Sequence, residues 1–140
     1  MENNINNLSI KKIKILIIDD EPDICFFLKQ SLQRTGKYKV LVAPEGKTGG
    51  WLASCRWHRP DLILLDIMMP GINGFELLRK LKEDKKTMYI PVIMCTALGD
   101  MTSKIKAEGL YCDDYIVKPV DIEVVKSKIE GVLAKRGIKI

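Results

Sequence analysis

The stretch Pro60-Asp61-Leu62-Ile63-Leu64-Leu65-Asp66-Ile67-Met68-Met69-Pro70-Gly71 decides the fold of this chain. Its apolar run, Leu62 to Leu65, ends on the carboxylate of Asp66 and then enters a Pro-Gly turn. A short run bounded by turn residues is expected of a strand buried on both faces, as in a parallel sheet. Similar runs lie on either side. Ile13-Lys14-Ile15-Leu16-Ile17-Ile18 leads into Asp19-Asp20, Val92 to Cys95 into Thr96, and Tyr115 to Val117 into Lys118-Pro119. In open parallel sheets, ligands bind beyond the carboxyl ends of the strands, where all these polar groups fall. Three carboxylates, a hydroxyl and an ammonium would converge on one crevice, a set suited to a divalent cation and a phosphoryl group.

Amphipathic stretches alternate with the strands. Pro22 is placed for the first turn of a helix, with Ile24, Phe27, Leu28 and Leu32 on its apolar side and Gly36 ending it. A weaker strand follows from Tyr38 to Val42. The spacing predicts a second helix over Pro44 to His58, weakened by Gly46, Gly49 and Gly50. Asn73 can cap a third, burying Phe75, Leu78 and Leu81. Asp100 to Glu108 forms a short fourth, stopped near Gly109. Asp121 caps the last, with Ile122, Val125, Ile129, Val132 and Leu133 inward. Strict alternation of this kind makes an α/β fold: one doubly wound, five-stranded parallel sheet with five helices on its two faces. Right-handed crossovers favour the strand order 2-1-3-4-5, although the residues alone do not decide the order.

Composition narrows the function classes. At 140 residues the chain is long enough for one domain with a sizeable core. The expected division is an Asn-rich, flexible tail over 1–10, the domain over 11–136, and a short tail over 137–140 with no output domain. No apolar run approaches the roughly 20 residues of a membrane helix, so no membrane partner is expected. Cys25, Cys55, Cys95 and Cys112 lie far apart without a C-x-x-C pair. They read as reduced structural thiols, which together with the absent signal segment points to the cytoplasm. His58 reads as a surface histidine, and Trp51 and Trp57 as partly buried. The net charge of +5 is spread over Lys11, Lys12 and Lys14, over Arg79 to Lys86, and over Lys135 to Lys139. No reading element for DNA is left once the sheet and helices are assigned, so direct nucleic-acid binding is not expected.

The strand-end residues carry the chemistry. A carboxylate oxygen such as that of Asp66 can attack a phosphoryl group and form an acyl phosphate. Phosphoryl transfer depends mainly on alignment and charge stabilisation. Beside Asp19 and Asp20, an incoming phosphoryl would be repelled by about 4 kcal/mol per neighbouring charge at about 4 Å and an effective dielectric of about 20. A hard cation removes that penalty, and an all-oxygen acidic site suits Mg2+ rather than zinc. Lys118 supplies a positive charge for the phosphoryl oxygens, and Thr96 a hydroxyl that can donate to one of them. The Lys118–Pro119 bond is open to cis or trans, trans being the usual state. The glycines and proline between Asp66 and the next helix let a backbone carbonyl turn inward.

With these residues in place, the chain closely resembles the receiver domains of two-component response regulators, the chemotaxis-regulator-like family with a flavodoxin-like fold. Ile17-Ile18-Asp19-Asp20-Glu21-Pro22, the stretch from Pro60 to Gly71, Thr96-Ala97, and Asp113-Asp114-Tyr115-Ile116-Val117-Lys118-Pro119 carry the likeness, which extends from Lys12 to Arg136. The resemblance implies that Asp66 accepts a phosphoryl group from a histidine kinase or phosphotransfer protein. It implies that Asp20 and Asp66 bind Mg2+ directly, Asp19 through water, and that the Met68 carbonyl completes the protein ligands. Thr96 and Tyr115 would form the switch pair, altering the surface of the fourth helix, the fifth strand and the last helix for an unnamed downstream protein. A phosphorylation-dependent homodimer is also compatible with the resemblance.

The chain departs from the common pattern in places. The stretch from Gly46 to Pro60 is slightly longer, Gly49-Gly50 replaces an Ala-Leu-like pair, and Tyr111 stands where a glycine is usual. Met68 and Leu98, two residues after Asp66 and Thr96, offer no polar group to position a water. A haloacid-dehalogenase-like phosphatase would want an acid two residues after its nucleophile, where this chain has Met68. A flavodoxin-like carrier would need a Ser/Thr/Gly-rich loop after the first strand, where Asp19-Asp20-Glu21 would repel a flavin phosphate. A receiver-like scaffold that is never phosphorylated would have no need of the full acidic and switch set.

Overall fold

The computed structural model describes residues 11–97 and 111–138. Along the chain run β1 (Ile13–Ile18), α1 (Pro22–Arg34), β2 (Tyr38–Ala43), α2 (Gly46–Ser54), β3 (Leu62–Asp66), α3 (Gly74–Glu83), β4 (Val92–Thr96), β5 (Asp114–Val117) and α4 (Ile122–Lys135). All strand pairs are parallel, and the order is β2-β1-β3-β4-β5. The sheet thus has the doubly wound order expected from right-handed crossovers. Four helices stand among the described residues. The expected helix from Asp100 to Glu108, with Leu98 and Gly109, lies outside them.

Every residue of β3 and β4 is buried, as their unbroken apolar runs require. Successive side chains point to opposite faces and divide the core in two. Ile15, Ile17, Leu62, Leu64, Ile93 and Cys95 face α1 and α4, where they meet Leu28, Leu32, Val125 and Ile129. Leu16, Ile18, Ile63, Leu65, Val92 and Met94 face α2 and α3, where they meet Ala53, Phe75, Leu78 and Leu81.

The local signals mostly act as read. Pro22 occupies the first turn of α1. Asn73 caps α3 by accepting the Glu76 N–H at 3.0 Å, and Asp121 caps α4 by accepting the Glu123 N–H at 2.9 Å. Three expectations are corrected. The buried side of α1 uses Cys25 beside Leu28 and Leu32, while Phe27 is 43% exposed. The second helix is shorter than Pro44 to His58, because the chain leaves it at Cys55 in an extended conformation. Trp51 and Trp57, expected to be partly buried, are 64% and 82% exposed, since they stand on the outer face of α2 and in the loop after it. Gly49 is part of the packing: a Cβ there would lie 2.6 Å from the Ile18 side chain, so the bare backbone sets how closely α2 seats on β1.

Candidate functional site

The parallel register brings four strand ends to one edge of the sheet. Ile18 pairs with Leu65, Asp66 with Cys95, and Thr96 with Val117, so the residues just beyond them are neighbours. Asp19, Asp20 and Asp66 each present a carboxylate oxygen, all within 4.8 Å of one another. Asp19 and Asp66 are each only 3% exposed.

Lys118 enters this group from the end of β5. Its Nζ lies 3.0 Å from Asp19 Oδ2, 2.8 Å from Glu21 Oε1 and 3.4 Å from Asp66 Oδ1. The Lys118 N–H donates to the Thr96 carbonyl at 2.6 Å, and the Lys118–Pro119 bond is cis. Asp19 is held by its surroundings: Oδ1 accepts the Glu21 N–H at 2.9 Å and Oδ2 accepts from Lys118. Asp66 Oδ1 accepts the Met68 N–H at 3.3 Å. Among the described residues no hydrogen bond reaches the carboxylate of Asp20, which stands at the more open side.

Burial is the main reason that the Asp66 carboxyl is pushed up from 3.8 to about 6, with the charge of Asp19 adding to it. Lys118 and the Met68 N–H pull the other way and are outweighed. Burial disfavours the Lys118 ammonium too, but hydrogen bonds to Glu21 and Asp19 hold it above its ordinary value. The Lys118 ammonium is therefore held charged, while Asp66 keeps its proton to a higher pH than an ordinary aspartate.

The approach of α3 to the end of β3 shapes the site from behind. The Gly74 N–H donates to the Ile67 carbonyl at 2.9 Å. A Cβ on Gly74 would collide with the Asp66 carbonyl and lie 2.7 Å from Ile67 Cα. Only a glycine lets the helix start so near the Asp66 backbone.

The expected residues fall into two groups. Asp19, Asp20, Asp66 and Lys118 come together as the sequence implied. Thr96 is wholly buried at the end of β4, one strand over. Tyr115 lies further down β5, half-buried, with the Lys128 ammonium 5.5 Å from its ring centre. Met68 carries a 58% exposed side chain at the rim, and Leu98 is outside the described residues. The four cysteines are free, and His58 is at the surface. Glu21 was quoted in the motif but given no role, and it makes the shortest contact to the Lys118 ammonium. Its place directly after the Asp19-Asp20 pair, at a strand end, was the signal available.

A profile of the response regulator receiver domain matches residues 15–130. The chain belongs to the receiver domain family of response regulators. The receiver is 40% identical to the PilH protein of Pseudomonas aeruginosa over 121 residues, 86% of this chain and 98% of PilH. It is 39% identical over 122 residues to RpaA of Synechocystis, described as a DNA-binding dual master transcriptional regulator, covering 87% of this chain and 49% of RpaA. The receiver thus spans about half of RpaA but nearly all of PilH. Among solved structures, CheY4 of Vibrio cholerae matches with a TM-score of 0.78 and 26% identity, over 88% of this chain and 100% of CheY4. The phosphoacceptor role fits the acidic pocket of Asp19, Asp20 and Asp66. No helix among the described residues is long and apolar enough to cross a membrane.

Proposed function

We propose that Asp66 is the phosphoacceptor of this receiver, taking its phosphoryl group from a histidine kinase or phosphotransfer protein. The observation that carries the reading is the buried Asp66 carboxylate standing beside both an acidic pair and an ammonium. One Asp66 oxygen forms a bond to phosphorus as the donor's bond to phosphorus breaks, and the leaving group takes the electron pair. Lys118 then serves the phosphoryl oxygens.

The donor set fits a hard cation. Its ligand atoms are all oxygens, with no histidine among them and only buried, strongly protonated thiols at Cys25 and Cys95 nearby. Mg2+, when bound, supplies charge neutralisation for the carboxylates and the phosphoryl oxygens. Asp20, which accepts no other hydrogen bond among the described residues, suits direct ligation together with Asp66. Asp19, with both oxygens engaged, suits a water-mediated part. The Met68 carbonyl is assigned as the remaining protein ligand.

Thr96 and Tyr115 are assigned as the switch pair, acting on a surface that β5 and α4 share. An unidentified downstream protein reads that surface, and a phosphorylation-dependent homodimer is one form such reading could take. The unit acts as a signalling phosphoacceptor in the cytoplasm that assists its own phosphorylation and dephosphorylation and has no separate substrate. Residues 11–136 form it, in keeping with the matched span of 15–130. The test is incubation with acetyl phosphate and Mg2+ followed by intact-mass measurement. The parent should gain one phosphoryl group and Asp66→Ala none. An adduct of equal yield in the variant would rule out this acceptor.

A further inference from the structure

The geometry points to Glu21 as a latch on Lys118: it holds the ammonium in the resting receiver and retards transfer to Asp66. The inference rests on the reading of Asp66 as acceptor and of Lys118 as its phosphoryl-binding cation. An ammonium has three protons to donate. Lys118 has three carboxylate partners already, Glu21 at 2.8 Å, Asp19 at 3.0 Å and Asp66 at 3.4 Å. Two of them, Glu21 and Asp19, are hydrogen-bonded to it, so a phosphoryl oxygen must compete with both for the position of Nζ.

The three partners differ in how easily they can be replaced. Asp19 and Asp66 are fixed on strand ends, with side chains 4% and 3% exposed, so neither can swing away from Nζ into solvent. The Glu21 side chain is 54% exposed, and water can take the place of the ammonium. Glu21 is therefore the partner that yields. Its hold is also the tightest of the three by distance, so the resting ammonium is drawn outward, towards the mouth of the site. The Glu21 carboxylate further adds negative charge where an anionic phosphodonor must enter.

Release of a partly exposed ion pair is worth roughly 0.2–1 kcal/mol, equivalent to about a 1.5- to 5-fold change in rate. Glu21→Gln should therefore speed phosphorylation by acetyl phosphate about two- to fivefold at saturating Mg2+. In that reaction an Asp66 oxygen bonds to phosphorus, and acetate leaves with the electrons of the broken P–O bond. Glu45→Gln removes an equal charge from an exposed residue just beyond β2, at the same end of the sheet, and should leave the rate unchanged. It separates the latch from a general change of field.

A second readout does not depend on phosphorylation. In the parent the Lys118 ammonium, hydrogen-bonded to Glu21 and Asp19 and paired with Asp66, should give a slowly exchanging 15N–1H side-chain signal, assigned through its loss in Lys118→Arg. Glu21→Gln should broaden or remove that signal, and Glu45→Gln should preserve it. An unchanged signal, or a rate in Glu21→Gln equal to or below that of the parent, overturns the latch. Absence of any adduct in the parent would instead sink the acceptor reading, and the ammonium signal alone would still decide whether Glu21 restrains Lys118.

Discussion

Asp66 joins two requirements that oppose each other. To accept phosphorus its carboxylate must be deprotonated, yet its burial beside Asp19 favours the protonated form. The native carboxyl keeps its proton up to about pH 6, whereas in the unfolded chain it loses it near 3.8. Between those values the native state holds more protons than the unfolded one, so this group's contribution to stability falls as pH rises. Above pH 6 the loss is complete, and its size is about 2–3 kcal/mol. Asp66→Asn keeps the shape and removes the charge, while Lys118 retains Asp19 and Glu21 as partners. In a metal chelator at pH 7 the variant should unfold at higher urea than the parent, and the difference should vanish below about pH 4. A variant less stable than the parent at pH 7 would mean that the pairing with Lys118 outweighs burial.

The elements show where sequence reasoning succeeds and where it stops. Caps are local, so the role of Asn73 was legible from one residue and its neighbours. Its side chain accepts the Glu76 N–H at 3.0 Å, and its amide donates to Glu76 Oε1 at 3.2 Å, which holds the capping side chain in place. Asn73→Ala should cost about 1 kcal/mol, seen as a lower midpoint in urea with an unchanged slope. Because α3 starts against the Asp66 backbone, fraying there should also raise the exchange rate of the Gly74 amide. Long-range contacts were not legible in the same way. Gly49 counted against a helix by propensity, whereas its value lies in the distance between α2 and Ile18. Phe27 fitted the apolar stripe of α1 as well as Cys25 did, and only the position of the neighbouring strand ends decides which turns inward. Glu21 was present in a motif already quoted, but the sequence says nothing of which lysine, almost a hundred residues on, its side chain meets.

At the scale of the whole molecule, the site and the core are one object. The acidic cluster was legible because a parallel sheet aligns its strand ends, so four separate motifs had a single meeting point. The same strands carry both hydrophobic clusters, one on each face. A ligand that ties the strand ends together therefore stabilises everything packed on them. A cation bound only by the native state adds RT ln(1 + [L]/Kd), about 2.7 kcal/mol at one hundred times Kd. For a domain of this size that is a rise in Tm on the order of 10 °C. Mg2+ should raise the melting temperature of the parent by that amount in a single transition reported alike by near-UV and far-UV circular dichroism. Asp20→Asn should lose most of the rise, since its carboxylate makes no hydrogen bond among the described residues whose loss would itself alter the fold. Two transitions moving separately would show that the faces of the sheet do not melt together. An equal shift in Asp20→Asn would place the cation elsewhere, because removing one of three clustered carboxylates cannot leave its affinity intact.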